Sequence, residues 1–162
     1  MSEREFRTAS EAAEWFLSQQ DMSIEKVKML CYYAQAWALC LHGGLPLFRN
    51  EIIATSEGID IPAIKIDPLY QEVPALLPTS EFAPMDTMVL DVVLRSYGRM
   101  ETDKLASIIK QEEPWIEARS RFNPADGSKD PIISMEMMQD FYFREFFANE
   151  KVFWDEHAGE TQ

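Results

Sequence analysis

The sequence predicts a mainly α-helical protein, a single compact domain of about six helices with an irregular, proline-rich connector. Three observations support this fold class. Apolar residues recur at three- and four-residue steps through most of the chain, as they do in amphipathic helices. Serine and threonine residues stand where helix caps are expected. The length of 162 residues suits one domain with its own core, which we expect to comprise about residues 8–154, followed by a tail at 155–162.

The first two helices have the clearest start signals. Thr8 and Glu11 have the spacing of a capping box, which predicts a helix over about residues 9–20. Ser23 is predicted to cap a second helix, which the glycine pair at 43–44 ends. The apolar repeat of this second helix consists of Ile24, Val27, Leu30, Cys31, Ala34, Trp37, Ala38 and Leu41.

The connector over residues 45–84 contains six of the nine prolines. Proline lacks an amide donor and restrains the residue before it, so we expect no long helix there. Residues 51–54 and 59–61 lie on either side of Gly58 and are predicted to form either a short β-hairpin or extended chain. Residues 65–70 are predicted to be a loop.

Four further helices are predicted after the connector. They begin near Met85, Thr102, Pro114 and Ser134, and a turn at residues 123–127 separates the last two. The inward positions of the first two of these helices are predicted to be Met88, Val89, Val92, Val93, Leu105, Ile108 and Ile109.

Charge and composition narrow the classes of partner. The chain has 28 acidic and 15 basic side chains, a formal net charge of -13. A surface this negative repels phosphate backbones and anionic lipids, so we expect neither nucleic acid nor a membrane as a partner. The apolar fraction of 46% separates the chain from disordered acidic segments. The start of the chain lacks the pattern of a signal peptide and no apolar run is long enough to span a membrane, so the expected location is the cytoplasm.

Motifs for catalysis or metal binding are missing from the sequence. It has no glycine-rich phosphate loop, nucleophile elbow or paired-histidine helix. Cys31 and Cys40 lie too far apart on one predicted helix for a disulfide, and no histidine lies at metal-ligand spacing from them. Glu112 and Glu113 would diverge by about 100° on a helix, so we interpret them as solvated carboxylates at a helix boundary. We therefore expect no enzyme, no cofactor and no metal.

The last helix carries more aromatic residues than one buried face needs. One side of it holds Met135, Met138, Phe141, Tyr142 and Phe146, and a second side, about 100° round, holds Phe143, Phe147 and Trp154. Such a helix is either wrapped by the others or keeps one face for a partner. The predicted partner contacts are Tyr32, which falls towards the polar side of its own helix, and Phe143, Phe147, Phe153 and Trp154. Acidic residues around them, Glu145, Glu150, Asp155 and Glu156, suit a basic partner.

Several blocks of the sequence resemble the Panacea-domain family, also described as SocA-like or phage-associated GepA-type proteins. The first blocks are Leu30-x-Tyr32-Tyr33-Ala34-Gln35-x-Trp37, then Gly44-x-Pro46-Leu47-Phe48, then Ile53-Ala54 and Gly58. The later blocks are Glu112-x-Pro114-Trp115, and Ile133 with Glu136 and Met138–Phe141. In this order and spacing the blocks extend over about residues 9–147. Nine of these positions are predicted to be structural: Leu30, Tyr33, Gln35, Trp37, Pro46, Gly58, Glu112, Pro114 and Trp115.

The chain departs from the family pattern in two regions. Thr55 stands where the family usually has Trp, and Ile59-Asp60-Ile61-Pro62 follows Gly58 in place of Pro-Val-x-Pro. Ile109-Lys110 stands where the family usually has Thr-His. These departures either alter the choice of partner or are tolerated drift.

The resemblance implies an antitoxin that neutralises a cognate toxin by direct protein–protein contact. It also implies a mainly helical domain without catalytic residues. The acidic composition suits a basic toxin. One alternative is a proteolytic adaptor that delivers a toxin to an AAA+ protease. Another is an acidic DNA mimic, against which the interleaving of Lys and Arg with the acidic residues argues.

Overall fold

The computed structural model describes residues 7–67, 81–127 and 129–157, and after Phe146 it describes the last helix along its backbone alone. The described residues form six α-helices and one two-stranded hairpin, which confirms the mainly α fold class. The elements are α1 (Ala9–Gln19), α2 (Ile24–Leu41), β1 (Ile53–Thr55), β2 (Gly58–Asp60), α3 (Pro84–Tyr97), α4 (Thr102–Lys110), α5 (Glu113–Ser120), a 3-10 turn (Pro124–Asp126) and α6 (Met135–His157).

Helix α1 begins at the predicted capping box. The Thr8 hydroxyl accepts a hydrogen bond from the Glu11 amide at 3.1 Å, and the Glu11 carboxylate accepts one from the Thr8 amide at 3.0 Å. Each side chain satisfies an amide that the first turn of a helix leaves without a partner. The inward face, with Ala13, Phe16 and Leu17, is buried.

Helix α2 is the centre of the fold. Its cap is the predicted one, since the Ser23 hydroxyl accepts a hydrogen bond from the Lys26 amide at 3.2 Å. The helix contacts α1, α3, α4, α6 and β2, so it is buried on all sides along most of its length. Leu41 is an exception to the predicted apolar face, because it is exposed at the end of the helix. Gly43 and Gly44 end α2 with φ angles of 64° and 92°.

The sequence left open whether the residues around Gly58 form a hairpin or extended chain. In the structure they form a hairpin of strands β1 and β2. They pair antiparallel, with Ala54 opposite Ile59 and Thr55 opposite Gly58. The outer side of β1 is covered, because the Ala54 amide donates to the Pro131 carbonyl at 2.8 Å. On the same side, Arg119 donates to the Ala54 carbonyl at 3.1 Å. The hairpin is thereby held against the segment that precedes α6.

Helix α3 buries a different face from the predicted one. Val89 and Val93 are buried as predicted, but Met88 and Val92 are exposed. The helix packs on α2 through the face that also carries Leu90. The apolar residues of α3 exceed what this one face can bury, so a second apolar stripe remains at the surface.

The remaining helices begin close to their predicted positions. Thr102 is the first residue of α4, although Glu101 and not Thr102 occupies the cap position and no side chain caps the helix. Pro114 lies in the first turn of α5, as predicted. The Ser134 hydroxyl accepts a hydrogen bond from the Met137 amide at 3.0 Å, as expected of a cap. Helix α6 reaches His157, past the predicted end of the core at residue 154.

Two predictions fall partly outside the described residues. Residues 65–67 of the predicted loop have no helix or strand, and its remaining residues, 68–70, lie outside. Residues 158–162 of the predicted tail also lie outside. Cys31 and Cys40 are both free and buried in α2, so they form no disulfide, in agreement with the prediction.

Candidate functional site: an apolar groove between three helices

The side chain of Gln35 fixes the loop that follows α2. Its amide nitrogen donates to the Phe48 carbonyl at 2.7 Å. Its amide oxygen accepts from the Leu47 and Phe48 amides at 2.8 and 3.2 Å. A buried polar side chain has to satisfy its hydrogen-bonding groups within the protein, and Gln35 does so on the backbone of this loop. Pro46 lies half-buried just before the two residues that Gln35 holds.

The side chain of Trp115 fixes the hairpin by hydrogen bonds to its backbone. Its indole nitrogen donates to the carbonyls of Thr55 and Gly58 at 3.0 and 2.8 Å. Gly58 has a φ angle of 148°, which disfavours other residues, and a Cβ there would lie 3.6 Å from the Cβ of Ala106. Pro114 is buried in the turn that presents Trp115. These motif positions therefore connect the hairpin to α5 and bring it close to α4.

Helices α2, α5 and α6 are joined by the half-buried Glu112 and the buried Tyr33 and Tyr142, which we call the Glu112 junction. Tyr33 donates to one carboxylate oxygen of Glu112 at 3.2 Å and Tyr142 to the other at 2.6 Å. Burial raises the pKa of Glu112 to about 7, while the hydrogen bonds from Tyr142 and Tyr33 oppose this shift. Burial also raises the pKa of both tyrosines, so each hydroxyl keeps the proton that it donates.

The interpretation of Glu112 as a solvated carboxylate is therefore wrong. Helix α6 packs against α5 and its Tyr142 covers the helix boundary at which Glu112 lies. Glu113 does fit the interpretation, because it is exposed. It pairs there with Arg144 at 2.6 Å. Neighbouring carboxylates thus have different environments because they point in different directions from α5.

Aromatic rings extend the Glu112 junction towards α3. Tyr33 stacks on Tyr97, with ring centroids 4.0 Å apart and an interplanar angle of 9°. The Trp37 indole nitrogen donates to the Tyr97 hydroxyl at 3.2 Å, and the Trp37 ring lies edge-on to Tyr142 at 5.5 Å. Leu30 is fully buried in the same helix. The predicted structural positions in α2 thus all make contacts inside the fold.

Tyr32 is not a surface residue, and its prediction as a partner contact is wrong. It is 0% exposed and its ring lies 6.3 Å from that of Tyr142 in α6. The polar side of α2, on which the sequence pattern places Tyr32, is covered by another helix. The local pattern cannot show this because the covering residue lies far along the chain.

The other predicted contacts lie on α6. Phe143, which lies on the second side of the helix, is 47% exposed. The side chains of Phe147, Phe153 and Trp154 lie outside the described part of the chain. Phe146 lies on the same side of the helix as the buried Tyr142, but it is 37% exposed.

Phe146 borders an apolar groove of about 210 Å³ between α2, α3 and α6. The residues that line this apolar groove are Trp37, Leu41, Met88, Val89, Val92, Ser96, Tyr97 and Phe146. Leu41 is 44%, Met88 50% and Val92 51% exposed. Large apolar side chains gathered in one exposed concavity mark a candidate binding surface.

Sequence reasoning missed the α3 side of the groove, although a signal for it exists. Met85, Met88 and Val92 lie at helical positions i, i+3 and i+7 and form one stripe, all of it exposed. Val89 and Val93 form a second stripe, which is buried. The sequence prediction treated the two stripes as one inward face. A helix with two apolar stripes has more apolar surface than a single packing partner can cover.

The charged residues next to the groove in sequence are an ion pair on α3 and a carboxylate on α6. Asp91 precedes Val92 on α3 and pairs with Arg95 at 2.9 Å. Glu145 precedes Phe146 on α6 and is exposed. Asp86, at the start of α3, lies 3.6 Å from the imidazole of His42. Two of these three carboxylates already have a partner, so a preference for a basic ligand would come from the net charge of -13 and not from the groove itself.

Within the described ranges, no three or more His, Cys, Asp and Glu side chains form a group suited to a metal ion. No helix described here combines the length and the apolar character needed to cross a membrane. Compared with known proteins, the chain matches no protein-family model, no curated protein and no solved structure.

Proposed function

We propose that this protein is a cytoplasmic antitoxin that binds a cognate toxin through the apolar groove and so neutralises it. The observation that carries the proposal is the groove itself, where Leu41, Met88 and Val92 remain about half exposed. The sequence blocks that resemble the Panacea-domain family supply the class of partner. No catalytic step is assigned to the chain.

The shape of the groove favours an amphipathic helix as the bound segment. Three helices form its walls, and amphipathic helices commonly bind in apolar grooves of this kind. Met88 and Phe146 supply large apolar contacts, and methionine adapts its shape to the surface it meets. The net charge of -13 would speed the encounter with a basic toxin.

A genetic experiment tests the antitoxin class directly. The open reading frame that adjoins this gene is expressed alone and together with this protein. We expect lethality alone and normal growth in the pair. A harmless neighbour that fails to co-purify with the protein contradicts the proposal. The half-life of the toxin in the pair separates two modes of action, because masking leaves it unchanged and delivery to a protease shortens it.

A variant tests the groove as the contact surface. Met88→Gln together with Val92→Thr keeps the shape of both side chains but makes the groove polar. We expect affinity for the toxin to fall by about tenfold or more, since residues at the centre of an interface dominate its energy. Ile116→Thr is the matched control, because Ile116 is 50% exposed but does not line the groove. Equal affinities for the double variant and the control would place the contact elsewhere.

A further inference from the structure

A second and larger cleft, of about 740 Å³, lies between the start of α2, the hairpin and α4. None of the residues that line it belongs to the apolar groove. Apolar side chains in its lining come from all three elements, among them Met29, Ile59 and Ala106. We call it the hairpin cleft.

The hairpin presents an open strand edge beside this cleft. Ala54 lies opposite Ile59, and its amide and carbonyl are bonded to Pro131 and Arg119, on the side away from β2. Residues in an antiparallel pair alternate between bonded and non-bonded positions, so Ala54 and Ile59 form a non-bonded pair. The amide and carbonyl of Ile59 therefore point to the outer edge of β2.

These two backbone groups have no hydrogen bond to any other described residue. An unpaired strand edge is a template for another extended chain, whose backbone supplies the missing donor and acceptor. A polypeptide in extended conformation fits this edge, since a helix bonds its own backbone groups internally.

The charges around the hairpin cleft favour binding of a positively charged segment. Four carboxylates line it, against two lysines. Asp60 is paired with Lys28 at 2.6 Å. The other three, Glu25, Glu57 and Asp103, form no ion pair within the described ranges. Lys or Arg side chains of a bound segment would supply the missing partners.

We propose that the hairpin cleft binds an extended, cationic polypeptide segment of a partner protein by strand addition to β2. The backbone of the segment pairs with the amide and carbonyl of Ile59. Its alternate side chains point the same way, because a strand repeats every two residues, and those carrying Lys or Arg meet Glu57 and Asp103. The site is separate from the apolar groove and does not depend on the antitoxin proposal.

Synthetic peptides test this site on the full chain without a known partner. The probe is a short fluorescent peptide in which lysine and valine alternate, and binding is followed by fluorescence anisotropy. We expect it to bind about tenfold or more tightly than the same peptide with glutamate in place of lysine. We also expect N-methylation of alternate peptide amides to weaken binding by about tenfold, because backbone bonds to the strand edge are lost. Equal binding of the methylated and unmethylated peptides would overturn strand addition.

Charge variants test where the peptide binds. Glu57→Lys with Asp103→Lys should weaken binding of the Lys–Val peptide by about tenfold or more. The matched control is Glu51→Lys with Asp140→Lys, which makes the same change in net charge at exposed positions outside the cleft. We expect the control to retain affinity within about threefold, since distant surface charges are screened by salt. Equal losses in both would show a general attraction to an acidic protein and overturn the site. The peptide comparisons use the unchanged protein, so they decide the question even where a variant fails to fold.

Discussion

The Glu112 junction and the apolar groove lie next to each other between α2 and α6, and they use their side chains in opposite ways. In the junction, a carboxylate is partly removed from solvent and accepts hydrogen bonds from Tyr33 and Tyr142. In the groove, Met88 and Val92 need no polar partner but stay about half exposed. Trp37 and Tyr97 line the groove and also contact the tyrosines of the junction.

This difference separates residues that hold the fold from residues available to a partner. Polar groups in the junction are satisfied by one another, so a change there leaves a buried group without its hydrogen bond. Apolar groups in the groove lose contact with water only when something binds them. Substitutions in the junction should therefore change stability, and substitutions in the groove should change binding.

The largest expected effect is that of Tyr142→Ala in the junction. It removes a buried ring and the shorter hydrogen bond to Glu112, so we expect the free energy of unfolding to fall by about 3–5 kcal/mol. Chemical denaturation of the variant measures this. Phe143→Ala is the control on the same helix, with an expected loss below about 1 kcal/mol because Phe143 is half exposed. Similar losses for both variants would contradict the distinction between the two regions.

The next effect is a dependence of stability on pH. Glu112 has a pKa of about 7 in the folded protein against an ordinary value of 4.5. The folded state therefore holds this proton more tightly than the unfolded state. The resulting stabilisation is fully present below pH 4.5 and is lost as the pH rises through 7, by about 3 kcal/mol at most.

Glu112→Gln isolates this contribution, because glutamine cannot titrate. We expect the unfolding free energy of Glu112→Gln to fall less than that of the unchanged protein between about pH 5 and pH 8. Glu113→Gln removes an exposed carboxylate beside it and should keep the original dependence. A Glu112→Gln variant with an unaltered pH profile would show that the pKa of Glu112 is ordinary.

The smallest expected effect on stability is that of a substitution in the apolar groove. Val92→Thr should lower the free energy of unfolding by less than about 1 kcal/mol, because the new hydroxyl reaches water. Val89→Thr makes the same chemical change one residue before Leu90, on the buried side of α3. There we expect a loss of about 1–3 kcal/mol, because the hydroxyl is buried. Thermal melts of the two variants measure the difference, and equal shifts would mean that α3 does not divide into a buried and an exposed face.

The elements that the sequence predicted well depend on residues close together in the chain. The capping box at Thr8 and Glu11, the cap at Ser23 and the glycine stop at 43–44 each involve a few neighbouring residues. Pro114 begins α5 for an equally local reason, since its ring suits the first turn of a helix. Such signals are complete within a short window of sequence.

The predictions that failed depend on which element covers a given face. Tyr32 and Glu112 were expected at the surface because nothing in their own segments shows that α6 lies over them. Val92 was expected in the core because its stripe is as apolar as the one that α2 covers. The choice between hairpin and extended chain stayed open for the same reason, since Ala54 is held by Pro131, far along the sequence.

The open edge of β2 also bears on how copies of this protein behave in a crowded solution. An exposed strand edge invites a second identical edge, which is a common start of aggregation. Glu57 lies in the turn at the end of this edge and forms no ion pair among the described residues, so two copies that approached edge to edge would bring like charges together. This carboxylate therefore disfavours pairing with another copy of the same chain and leaves the edge open to a strand of opposite charge.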